Sequence, residues 1–121
     1  MKISFMFPGQ GAQYVGMGKD LYEKYDEIRK VFNKASEITN IDIATLCFNG
    51  IKREFKLGEE LLSEEEKGEE LNKTENTQIA IATMSLAIVE LLKKENISAD
   101  ITVGLSLGEY PALIYSGYLS F

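Results

Sequence analysis

The stretch Ile101-Thr102-Val103-Gly104-Leu105-Ser106-Leu107-Gly108-Glu109 constrains this chain more than any other. Three β-favouring residues run into Gly-x-Ser-x-Gly, and a helix-like pattern follows at once. That is the sequence form of a nucleophile elbow, a sharp strand-to-helix turn that pushes a serine hydroxyl out of the backbone. Lacking Cβ, Gly104 and Gly108 let strand and helix pass close together and leave room for strained dihedrals around Ser106. The start of the following helix would aim N–H groups to where an oxyanion develops. A second reading of the same residues stays open: Ser106 as a plain N-cap, with Glu109 completing an S-x-x-E capping box.

The start of the chain has a matching feature. Ile3 to Phe7 is an almost wholly apolar run stopped by Pro8-Gly9, which reads as a strand buried on both faces of a parallel sheet. Pro8 to Gly18 follows with four glycines in eleven residues and neither a G-K-[ST] nor a G-x-G-x-x-G pattern, so it is not a phosphate loop. It is either a flexible connector or a turn presenting backbone N–H groups to a ligand oxygen.

Between these ends the spacing is mostly helical. Leu21, Tyr25, Ile28, Val31, Phe32, Ala35 and Ile38 predict two consecutive helices over 20–39, broken near Asp26, which would cap the second. Ile43 to Phe48 is a short helix stopped by Asn49-Gly50, with Cys47 on its apolar side as core. Residues 52–70 are rich in glutamate and predict a solvated surface segment with short helical pieces and a Ser63–Glu66 capping box. Their glutamate runs match no calcium-loop spacing, so no metal is expected. The longest helix starts at Thr74 or Asn76 and runs to about Glu95, apolar on nearly every side; Gln78 enters it as an amide that must find a partner. Tyr110 to Tyr115 forms the last helix, with Pro111 tolerated in its first turn and Ser116-Gly117 ending it.

Composition narrows the function classes. A net charge of −6 argues against nucleic acid and anionic membranes as partners. No run reaches the roughly eighteen apolar residues of a membrane span. No signal-peptide h-region follows Met1, and the single Cys47 allows no internal disulfide, so a cytoplasmic location is expected. Histidine is absent, and a serine hydroxyl is a weak nucleophile without a base in reach. Lys93 and Lys94 lie at the far end of their helix from Ser106, so residues 1–121 alone are not expected to turn over. Two buried parallel strands also call for more strands and more cover, which predicts the N-terminal portion of a larger single domain.

Phe7-Pro8-Gly9-Gln10-Gly11-Ala12-Gln13, Leu71-Asn72-Lys73-Thr74 with Thr77-Gln78, and Gly104-Leu105-Ser106-Leu107-Gly108-Glu109-Tyr110 together resemble the malonyl-CoA:acyl-carrier-protein transacylase family. The acyltransferase domains of polyketide and fatty-acid synthases belong to the same family. The resemblance implies an α/β fold: the N-terminal part of an α/β-hydrolase-like acyltransferase core with parallel strands, its ferredoxin-like subdomain beyond residue 121. It implies malonyl-CoA and acyl carrier protein as partners in fatty acid biosynthesis, coenzyme A entering as a thioester substrate, and no cofactor or metal. Ser106 would carry the acyl group as an ester, and the backbone N–H groups of Gln10 and Leu107 would form the oxyanion hole. Gln78 would line the substrate site. Leu105 stands beside the acyl group where the family usually has histidine, and Pro111 where a smaller residue is usual. The family's histidine base and malonyl-binding arginine would fall after Phe121. Two rivals are a serine esterase or thioesterase, whose HGGG-type loop Pro8 to Gln13 does not match, and a piece without catalysis of its own.

Overall fold

Ser4–Phe7 forms strand β1 and Ile101–Gly104 strand β2, paired in parallel with Ser4 opposite Ile101 and Phe7 opposite Gly104. This arrangement comes from a computed structural model that describes residues Met1–Phe121. Parallel strands need a long crossover. Here it consists of helices α1 (Lys19–Lys24), α2 (Asp26–Thr39), α3 (Ile43–Asn49) and α4 (Thr74–Lys94), and helix α5 (Glu109–Tyr115) follows β2. The chain is therefore α/β, with a two-stranded parallel sheet.

The expectation of strands buried on both faces holds for one face only. Phe7 packs with Val89 of α4 and Ala112 of α5, and Phe5 stands 5.3 Å from the Tyr115 ring, centroid to centroid. On the alternate positions Met6, Ile101 and Val103 are 79%, 60% and 51% exposed, because no element of residues 1–121 lies over them. Beside β1, a cleft of about 530 Å³ opens against α4, lined by Met6, Met17, Ile81, Met84 and Ile88 among others.

The main core lies among the helices. Ile28, Val31, Phe32 and Ala35, spaced for one face of α2, pack with Ile43, Leu46 and Phe48 of α3 and with Ala80 and Ala87 of α4. Tyr22, Phe32 and Phe48 form an aromatic cluster with centroids 5.2 to 5.8 Å apart. The predicted break between α1 and α2 is present, at an extended Tyr25. Asp26 does not cap α2. It is the helix's first residue, and its hydrogen bonds from Arg29 hold its carboxyl below the usual range. Arg29 also donates to the Tyr22 and Glu23 carbonyls, at 2.6 and 3.0 Å, and so closes the end of α1.

Asp42 caps α3, accepting from Thr45 N–H at 3.0 Å, from the Thr45 hydroxyl at 2.8 Å and from Arg53 Nε at 2.7 Å. Asp42→Ala removes the cap and strands part of the Arg53 guanidinium, so urea denaturation should show a loss of about 2 kcal/mol. Gly50, left-handed at φ 69°, ends the helix as predicted. Cys47 is fully buried, and burial pushes its thiol up. It should resist iodoacetamide at mildly alkaline pH until the chain is unfolded, as read by intact mass.

Residues 52–69 form no helical pieces; a single 3-10 turn comes at Glu70–Asn72. Ser63 and Glu66 make a backbone turn, Glu66 N–H to Ser63 O at 3.0 Å, without side-chain capping. The crowded glutamates would repel one another along a helix. Two anchors hold the segment in a non-helical path instead: within it Arg53 donates to Glu60 O at 2.8 Å, and from outside it Asn49 Nδ2 donates to Ser63 O at 2.7 Å.

Helix α4 is largely enclosed, as predicted, with Ala80, Ile81, Thr83, Ser85, Leu86, Ala87 and Val89 all buried. Gln78 is a correction: it is exposed, because it shares the face of exposed Thr74, one turn earlier, and not that of the fully buried Asn76, Thr77 and Ala80. The amide that has to be satisfied is that of Asn76, fully buried, whose Nδ2 donates to Glu70 O at 2.9 Å. No helix is long and apolar enough to cross a membrane.

Candidate functional site

Ser106 has φ 52°, one of three non-glycine residues in the left-handed region. Such a conformation costs roughly 1–2 kcal/mol and persists only where the surroundings impose it. The surroundings here are the two glycines of the motif. A Cβ on Gly108 would lie 2.1 Å from Phe7 O, and one on Gly104 would lie 2.3 Å from Gly108 O. Leu105, still extended at φ −96°, donates its N–H to Phe7 O at 3.2 Å and prolongs the ladder by one rung. The chain then turns through a 3-10 segment, Ser106–Gly108, directly into α5. Neither that segment nor α5 has a side-chain cap, and the residue preceding α5 is Gly108. The capping-box reading of Ser106 and Glu109 therefore lacks its hydrogen bond. What remains is an exposed serine on a strained corner.

The glycine-rich loop runs against that corner. Gly9 is buried; a Cβ there would meet Leu105 O at 2.6 Å and Ser106 Cβ at 3.8 Å. Gln10 comes next, and its backbone N–H has no backbone acceptor. Leu107 follows Ser106 within the 3-10 segment. Ser106, Leu107 and the Gly9-Gln10 turn are thus brought together from opposite ends of the chain. Leu105 borders them, 73% exposed.

The third motif meets the loop through side chains. Gln10 Nε2 donates to Thr74 Oγ1 at 3.2 Å, and Gln13 Nε2 to Asn72 Oδ1 at 3.3 Å. Gln78, one helical turn past Thr74, is exposed on α4 and has no hydrogen bond to the loop or to Ser106. Gln13 and Asn72 stand within the motifs that carry the family resemblance, which gives neither a role at the site. Their only signal was polarity within short motifs, and their partners lie 59 residues apart.

Neither lysine considered as a base stands at this site. Lys93 pairs with Glu90 at 2.9 Å and Lys94 with Glu27 at 3.0 Å, both at the opposite end of α4 from Thr74. The cleft beside β1 is lined mainly by apolar side chains and does not include Ser106.

A family model described as acyl transferase domain matches residues 4–121. The malonyl CoA-acyl carrier protein transacylase of Bacillus subtilis strain 168 is 41% identical over 99% of this chain and 33% of its own length. That of Staphylococcus aureus MRSA252 is 40% identical over the same shares. Among solved structures, the transacylase of Clostridium perfringens matches with a TM-score of 0.81 and 44% identity, over 99% of this chain and 33% of that one. A type II PKS acyl-carrier protein in complex with its malonyl-transacylase matches with a TM-score of 0.77 and 32% identity, over 97% and 33%. The chain spans about a third of the length of these relatives.

Proposed function

The chain belongs to the acyl transferase domain family, and from that membership we propose that Ser106 is the nucleophile of a malonyl transfer from coenzyme A to acyl carrier protein. The observation that carries the reading is the left-handed Ser106 on a strand-to-helix corner, with the Gly9-Gln10 turn packed against it.

In this reading Ser106 Oγ attacks the thioester carbonyl carbon, its proton goes to a base, and the carbonyl oxygen becomes an oxyanion. The N–H groups of Gln10 and Leu107 donate to that oxygen. Collapse expels the coenzyme A thiolate and leaves a malonyl ester on Ser106. The phosphopantetheine thiol of acyl carrier protein then attacks the ester and restores the serine. Leu105 and Gln78 border the acyl group. No cofactor takes part. The base and the partner of the malonyl carboxylate come from polypeptide outside residues 1–121, which hold no histidine. The finer fold assignment follows: an α/β-hydrolase-like core whose remainder, with a ferredoxin-like subdomain, covers Met6, Ile101 and Val103. A reducing cytoplasm suits the lone Cys47.

Intact-mass measurement tests this. The chain is incubated with malonyl-CoA, alone and together with polypeptide spanning the remaining two thirds of the Bacillus subtilis relative. Expected is one malonyl adduct, mapped to Ser106, in the mixture only, and its passage to added acyl carrier protein. An adduct on another residue, or none in the mixture, would sink the proposal. Free malonate without transfer would point to a hydrolase instead.

A further inference from the structure

The proposed oxyanion loop has little to hold it. Gly11 has φ 109°, and nothing lies within 4 Å of where its Cβ would be. Gln10, Gly11 and Ala12 are all exposed. Apolar packing therefore cannot fix the direction of the Gln10 N–H, and polar contacts must.

One is the backbone turn across Gln10 and Gly11, Ala12 N–H to Gly9 O at 3.3 Å; the side-chain contacts add a two-point latch. Gln10 uses its side-chain amide on Thr74 Oγ1. Gln13 uses both ends of its amide: Oε1 accepts from Gly11 N–H at 2.8 Å, and Nε2 donates to Asn72 Oδ1. The receiving segment is anchored firmly. Asn76 and Thr77, both fully buried, donate to the Glu70 and Leu71 carbonyls, and Lys73 pairs with Glu70 at 2.7 Å. Thr74 begins α4, whose middle is packed into the core. A flexible glycine loop is thus tied to a rigid helix start, with one tie on each side of Gly11.

We propose that Thr74 and Asn72 are positioning residues that, through the Gln10 and Gln13 amides, set the direction of the Gln10 N–H toward Ser106. The inference rests on the acyl-transfer reading. Neither residue touches the reacting atoms. Each acts through a glutamine, by holding a donor where the oxyanion forms instead of leaving it to sample many directions.

The experiment uses Thr74→Val, which keeps the β-branched shape and loses the hydroxyl, and Thr74→Ser, which restores the acceptor. Asn72→Ala and Asn72→Asp make the same contrast at the second tie. Amide hydrogen exchange and ¹H–¹⁵N spectra of the 121-residue chain report on the latch directly. In Thr74→Val and Asn72→Ala, Gly11 N–H should exchange about fivefold faster and the Gln10 amide resonance should move. Amides of Ala80 to Val89 should not change, and Thr74→Ser and Asn72→Asp should behave like the parent. In the reconstituted mixture, kcat should fall by about fivefold while KM for malonyl-CoA is unchanged. Loop amides that are identical in all variants overturn the inference. So does an altered loop with kcat intact, or a change confined to KM. If the parent chain never acquires an ester, the acyl-transfer reading fails, while the exchange data still decide whether the latch exists.

Discussion

Gly108→Ala should cost this chain about 3 kcal/mol or more of stability, an effect at the upper end for a change of one methyl group. The added Cβ would sit 2.1 Å from Phe7 O, 2.8 Å from Phe7 C and 2.9 Å from Pro8 O. All three atoms are backbone, so no rotamer change relieves the contact. Either β1 moves away from the corner or α5 does. The first breaks the Leu105 N–H bond to Phe7 O. The second pulls Ala112 and Tyr115 off Phe7 and Phe5. Gly11→Ala is the control. It also adds one methyl, and its φ of 109° is strained, but the methyl enters open space. It should cost only about 1 kcal/mol. Urea denaturation followed by circular dichroism compares the two. Equal midpoints would show that close approach is not what Gly108 provides.

Much of this was legible in the sequence, and the limits have physical causes. The elbow was readable because three local requirements coincide within nine residues: β-favouring side chains, two positions without Cβ, and a helical start. The Tyr25 break and the Gly50 stop were readable for similar local reasons. The strands misled because the sequence of β1 reports apolarity and not cover. Met6 and Val103 are written for burial, yet nothing within residues 1–121 lies over them. Residues 52–69 misled in the opposite way. Their helix-favouring glutamates are overridden by anchors from Asn49 and within the segment from Arg53. Gln78 and Asn76 are two residues apart on one helix, and only packing decides which amide is buried. The pairing of Gln10 and Gln13 with Thr74 and Asn72 was beyond reach, because it depends on where a loop at one end of a crossover meets the helix at the other.

Ser106→Ala should leave the fold in place and reduce ester formation in the reconstituted mixture by on the order of 10⁴-fold or more, because in the proposed transfer its hydroxyl is the attacking oxygen. Stability separates the chemistry of this residue from its geometry. Alanine keeps the Cβ, so the left-handed backbone at φ 52° stays strained. Ser106→Gly removes the same hydroxyl and also that strain. Folded-state relief of roughly 1–2 kcal/mol is partly offset by the greater freedom of glycine in the unfolded chain, leaving a net gain of a few tenths to about 1 kcal/mol over alanine. The expected pattern is two variants equally dead toward malonyl-CoA, with glycine the more stable by denaturation. A serine whose replacement by glycine destabilises the chain is not held in a strained corner. An alanine variant that still gathers ester means the acyl group sits elsewhere.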